Sequence, residues 1–170
     1  MSDHHLSSMT FGSLPLAPEL MQGIVDAGFT YCTPIQAQTL PSALQGRDIA
    51  GQAQTGTGKT AAFLVALYQS LLSKPPTPTR SPTSVRALIV APTRELAVQI
   101  HKDAALLGKH TPLKLAVVFG GTDYEKQRRS LTDGVDILVG TPGRIIDYFK
   151  QGVFDLRHAH VLVLDEADRM

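Results

Sequence analysis

Four short runs of apolar residues, 87–91, 115–119, 135–139 and 161–164, constrain the fold of this 170-residue chain more than any other feature. Only Asp136 interrupts them. A strand with one wet face alternates apolar and polar residues, whereas a strand covered on both faces does not. Between these runs the pattern predicts helices over 93–107, 124–131 and 142–150. Strand and helix in alternation give an α/β fold built on a doubly wound parallel sheet. Ligands of such sheets bind beyond the carboxyl ends of the strands, and the chemistry is expected there.

The N-terminal half is read from its punctuation. Residues 1–13 are polar and expected to be mobile. Pro18 opens a helix carrying Leu20, Ile24 and Val25, which Gly28 stops. Thr33-Pro34 starts a second helix, which Pro41 is expected to limit or kink. Residues 47–52 fit a short strand, followed by a helix over 58–72 with Phe63, Leu64, Leu67, Leu71 and Leu72 on one side. Four prolines among residues 73–84 mark a linker or long surface loop.

Composition narrows the function classes. At 43% hydrophobic and 18% charged residues, the chain is neither disordered nor collagen-like. Sixteen Lys and Arg against fifteen Asp and Glu leave a formal charge of +1, so a nucleic-acid partner requires a local surface. Cys32 is alone, which excludes a disulfide framework, and none of the six histidines has metal-ligand spacing. Residues 1–5 carry no signal-peptide pattern, and the longest apolar run, 61–68, is far too short for a bilayer. A cytoplasmic protein without a membrane partner is expected.

Ala53-Gln54-Thr55-Gly56-Thr57-Gly58-Lys59-Thr60, between a predicted strand and a helix, reads as a phosphate-binding loop. Gly56 and Gly58 let the backbone fold around phosphate oxygens, and the following helix N-terminus attracts anions. Lys59 is placed to reach the β and γ phosphates, and the Thr60 hydroxyl to hold Mg²⁺. Asp165-Glu166 follows the last apolar run. One carboxylate there suits Mg²⁺, directly or through water, and its neighbour suits orienting or deprotonating an attacking water. Together the two segments make an NTPase site, with ATP and Mg²⁺ as its cofactors.

At Asp165-Glu166-Ala167-Asp168 the chain resembles the DEAD-box RNA helicases. Further family motifs follow in order. Residues 28–36, from Gly28-Phe29 to Thr33-Pro34-Ile35-Gln36, look like the Q motif, with Phe11 as its upstream aromatic. Residues 53–60 match motif I in the family's own form, with Ala53 for the usual first glycine. Pro92-Thr93-Arg94-Glu95-Leu96-Ala97 matches motif Ia, Gly120-Gly121 the glycine doublet, and Thr141-Pro142-Gly143-Arg144 motif Ib. The connecting text looks most like a bacterial subgroup of the family.

The resemblance implies a RecA-like sheet of the P-loop NTPase type over residues 14–170. Catalysis would fall to Lys59, Asp165 and Glu166, and Mg²⁺ to Thr60 and Asp165. The nucleotide would meet Phe11, Phe29, Thr33, Gln36, Gln54, Thr55, Gly56, Thr57, Gly58, Lys59 and Thr60. In this assignment Gln36 reads the adenine edge with its amide and Phe11 stacks on the base. RNA phosphates would meet Pro92, Thr93, Arg94, Gly120, Gly121, Thr141, Pro142, Gly143 and Arg144, without sequence readout. On bare chemistry, Thr93 and Thr141 are equally expected as helix caps. Asp168 would couple to a second RecA-like domain. Cys32 departs from the proline common at its position and reads as a packing residue.

Met170 follows the signature by two residues. The resemblance implies a further Ser-Ala-Thr motif, a sheet strand beside the Asp165 strand, and the second domain, so the sequence reads as a fragment of a longer protein. The implied activity is ATP hydrolysis coupled to local unwinding of RNA duplexes, within an RNA-degradation complex. A nucleotide-gated RNA clamp without productive hydrolysis, and a P-loop ATPase acting on something other than RNA, are the competing readings.

Overall fold

Parallel pairing joins all four apolar runs into one sheet in the computed structural model, which describes residues 6–170. The strands are β1 (Ala87–Val90), β2 (Leu115–Val118), β3 (Ile137–Gly140) and β4 (Val161–Leu164), in the order β2-β3-β1-β4. Their register is flush. Val90 lies opposite both Gly140 and Leu164, and Val118 lies opposite Gly140. All four strands therefore end at one line, and the loops that follow them leave the same sheet edge.

The helices are α1 (Pro18–Asp26), α2 (Pro34–Ala43), α3 (Lys59–Ser73), α4 (Arg94–Leu107), α5 (Tyr124–Thr132) and α6 (Pro142–Lys150). Each lies within about two residues of its predicted span. The chain divides into two compact units, residues up to 74 with 106–111, and residues 75–105 with 112–170. Among the described residues no helix is long and apolar enough to cross a membrane.

In the first unit α2 packs on α3, and the Ala17 N–H at the start of α1 donates to Gln69 Oε1 of α3 at 2.7 Å. Pro41 lies inside α2 without ending it. Residues 7–11 differ from the expected mobile segment. Ser7 N–H donates to Cys32 O, Cys32 N–H to Met9 O and Phe11 N–H to Thr30 O, and Phe11 is fully buried. The backbone of 30–32 supplies partners that a polar composition does not reveal. Residues 1–5, including His4 and His5, lie outside the described residues.

Residues 47–52 form no strand and are exposed. A strand exists only through lateral pairing, and this segment has no partner strand among the described residues.

In the second unit the core gathers Leu88, Ala116, Val118, Leu131, Leu138, Ile145, Tyr148 and Phe154. At the amino end of the sheet, Asp136 breaks the apolar run for a reason. Its carboxylate accepts from Lys114 N–H at 2.7 Å and pairs with Arg80 at 3.3 Å and Arg86 at 3.5 Å. Arg80 also donates to Ser84 O and Val135 O, which pins the end of the Pro-rich loop. Residues 73–79 are exposed, as a surface loop should be, but Ser84 is buried. Removing one partner of a buried ionic cluster leaves uncompensated charge. Asp136→Ala should lower the unfolding free energy by about 3–5 kcal/mol, read from the urea midpoint at unchanged slope.

Candidate nucleotide and nucleic-acid sites

The phosphate-binding loop is shaped by two left-handed glycines, Gly56 at φ +83° and Gly58 at φ +89°. Side chains with a Cβ rarely adopt this backbone. The Thr57 hydroxyl closes the turn by donating to Gln54 O at 2.6 Å. Gly58 brings no side chain to cap α3, so no N-cap side chain occupies the N–H groups of the first turn, which starts at Lys59. Gln54, Thr55 and Gly56 are exposed. The loop thus fits a polyphosphate by its open donors and its backbone shape.

Thr33 and Gln36 lie against the same loop. They form a reciprocal capping box at the start of α2, with Thr33 Oγ1 accepting from Gln36 N–H and Gln36 Oε1 accepting from Thr33 N–H at 2.8 Å. The other end of the Gln36 amide donates to Gly58 O at 3.1 Å. A Cβ at position 58 would sit 2.8 Å from Thr33 Oγ1 and 2.5 Å from Gln36 Nε2. The glycine is required by its backbone angle and again by this close approach. Among the described residues Gln36 keeps one lone pair and one N–H uncommitted, and it is only 3% exposed.

Phe11 is placed differently from the expectation. It has no exposed surface, and its ring stacks on Phe29 with centroids 6.1 Å apart. Phe29 is 40% exposed and carries the accessible ring. Cys32 is fully buried, and burial pushes its thiol pKa up, which suits packing and not nucleophilic attack.

The remaining candidates leave the carboxyl edge of the sheet in the second unit. Pro92, Thr93 and Arg94 follow β1, Gly120 and Gly121 follow β2, Thr141 to Arg144 follow β3, and Asp165 and Glu166 follow β4. Thr93 Oγ1 does cap α4, accepting from Leu96 N–H at 3.2 Å, whereas Thr141 makes no such bond to α6. Capping therefore accounts for the Thr93 hydroxyl, whereas Thr141 caps α6 through its backbone alone, its carbonyl accepting from Ile145 N–H at 3.2 Å. The Arg94 guanidinium lies 4.9 Å from the Phe119 ring centroid, and that of Arg144 lies 4.9 Å from Tyr124 and 5.5 Å from Tyr148.

Glu166 adopts φ +49°, in the left-handed region. Asp165 Oδ1 accepts from Glu166 N–H at 3.0 Å, and Arg169 Nη1 lies 3.6 Å from Glu166 Oε2. Asp168 sits in the short 3₁₀ turn Ala167–Arg169. Lys59 and Thr60 belong to the first unit and Asp165 and Glu166 to the second. Phe119, Tyr124, Gln127 and Tyr148, which lie against the two arginines, carry no motif of their own in the sequence.

The DEAD/DEAH box helicase family matches over residues 33–170. The chain is 59% identical over its whole length to an ATP-dependent RNA helicase RhlB of Shewanella sp. (strain MR-4) and equally to one of Shewanella baltica. It spans 39% of the length of these curated relatives. Among solved structures, a DEAD box protein from the hyperthermophile Methanococcus jannaschii superposes on 95% of this chain and 42% of its own, with a TM-score of 0.84 at 35% identity. The parallel α/β sheet is thus of the RecA-like kind, and the chain belongs to the DEAD/DEAH box helicase family.

Proposed function

We propose that this chain is the ATP-binding part of an ATP-dependent RNA helicase, in which ATP hydrolysis drives local unwinding of RNA duplexes. The observation that carries this reading is the flush carboxyl edge of the sheet. The segments 92–94, 120–121 and 141–144 and the Asp165-Glu166 pair all follow strands that end on this one line.

In this reading residues 14–170 act as the first RecA-like domain. The loop 54–58 and the N-terminus of α3 cradle the phosphates, and Lys59 neutralises the β and γ positions. Thr60 and Asp165 would hold Mg²⁺, which would supply charge neutralisation at the phosphates. Glu166 orients and deprotonates the attacking water. The free lone pair and N–H of Gln36 read the adenine edge. A site that pairs with a base edge rejects other bases by leaving its own groups unpaired. Phe29 offers its exposed ring to the base, with Phe11 packed behind it. Thr93, Arg94, Gly120, Gly121, Thr141, Gly143 and Arg144 hold RNA phosphates with no sequence preference.

Asp168 faces a second RecA-like domain carried by the parent protein, whose arginines complete the ATP site. Such an arginine is typically worth about 10³–10⁵ in rate, so the chain alone should hydrolyse ATP poorly and unwind nothing. The setting is cytoplasmic, and an RNA-degradation complex is the expected larger assembly.

Two measurements test this reading. In the longest product of the reading frame that carries this chain, RNA should stimulate ATP turnover, and Glu166→Gln should reduce the stimulated rate by about 10²–10⁴. RNA retention that depends on ATP, without turnover, would favour a nucleotide-gated clamp instead. ATP turnover indifferent to RNA would favour a P-loop ATPase of another kind. The second measurement is nucleotide affinity by a fluorescent ATP analogue. Gly58→Ala forces a strained backbone and drives a methyl into Thr33 and Gln36, so affinity should fall at least about tenfold, or about 1.4 kcal/mol.

A further inference from the structure

Gln127 lies on α5, outside the motifs quoted above, yet its amide spans the Gly120-Gly121 turn from both sides. Its Oε1 accepts from Phe119 N–H at 2.8 Å, just before the two glycines. Its Nε2 donates to Thr122 O at 3.3 Å and lies 3.5 Å from Thr122 Oγ1, just after them. The same Oε1 accepts from Arg144 Nη1 at 3.3 Å. One neutral side chain therefore ties the glycine doublet to the arginine of Thr141–Arg144.

The surroundings reinforce this link. Arg144 Nη1 also lies 3.5 Å from Thr122 O and 3.5 Å from Tyr148 Oη, with the guanidinium set over the Tyr124 and Tyr148 rings. The Tyr148 hydroxyl donates to Tyr124 O at the start of α5. All the protein contacts of the Arg144 guanidinium among the described residues use Nη1 or the ring faces. Its Nε and Nη2 hydrogens are left for an external oxygen.

The turn itself has little else to hold it. Gly120 and Gly121 are exposed, a Cβ on either would meet nothing within 4 Å, and Gly121 has φ +90°. Paired glycines carry the largest backbone entropy of any residues. The core beneath is secured separately by Val118, Leu131, Leu138 and Ile145. Loss of the amide should loosen the turn and Arg144 far more than it loosens the fold.

We infer that Gln127 is a positioning residue for RNA, fixing the Gly120-Gly121 turn and the Arg144 guanidinium as one phosphate-binding surface. This rests on the RNA-binding reading above. The test uses a fluorescein-labelled single-stranded poly(U) oligonucleotide and the longest product of the reading frame, with affinity measured across a salt series. Gln127→Ala should weaken binding about tenfold. The slope of log affinity against log salt should become shallower by about 0.7, the loss of one phosphate contact on a single strand. Arg144→Ala should do the same, and the double variant should bind no more weakly than the worse single one. Gln127→Met, which keeps the side-chain length and removes the hydrogen bonds, should reproduce the loss at a thermal midpoint near that of the parent. That variant keeps the test sharp if the alanine variant unfolds. Unchanged affinity and slope in Gln127→Met, or losses that add fully to those of Arg144→Ala, would overturn the inference. A parent protein that binds no poly(U) would instead overturn the RNA reading itself, and the inference with it.

Discussion

The flush parallel register is the constraint on which the second unit depends. Val90, Val118, Gly140 and Leu164 end together, and parallel strands place every following loop on that same side. A slip of one residue in any pair would move one loop by about 3.3 Å and exchange its inward and outward side chains. Under the proposed RNA reading, a phosphate-binding surface assembled from three loops inherits its accuracy from the sheet. Asp136, with Arg80, Arg86 and the Lys114 N–H, fixes the opposite end of that register in a buried ionic cluster.

The sequence disclosed most where composition and burial coincide. β1 and β3 are buried along nearly their whole length, and their unbroken apolar runs say so directly. β4 is equally apolar in sequence, but Leu162 and Leu164 are more than half exposed. An apolar run records what a strand is built to bury, whatever covers it. The segment 47–52 illustrates the complement. Its residues suit a strand, and without a lateral partner the backbone stays irregular. Propensity is local and pairing is not.

The candidate sites divide in the same way. Gly56, Gly58, Lys59, Thr60, Asp165 and Glu166 stand out as candidates in the sequence because each motif is made of adjacent residues. Thr33 and Gln36 were legible as a capping box three residues apart. The bond from Gln36 to Gly58 spans 22 residues and is visible only in the fold. The burial of Phe11 was not legible, because it depends on pairing with 30–32 and on the Phe29 ring. Gln127 and the tyrosines around Arg144 are the furthest from local inference, since a polar helix surface looks the same whether its amide faces water or a neighbouring loop.

Glu166 stands in a left-handed backbone conformation that a side chain with a Cβ adopts only at a cost of about 1–2 kcal/mol. Glycine would relieve that strain in full, and asparagine in part. Selection for stability alone would therefore replace this residue early. A redesign scored on folding free energy would gain at position 166 and discard the carboxylate. The chain holds a small reserve of instability where β4 ends, and under the role proposed for Glu166 heat tolerance and chemistry pull against each other at a single side chain.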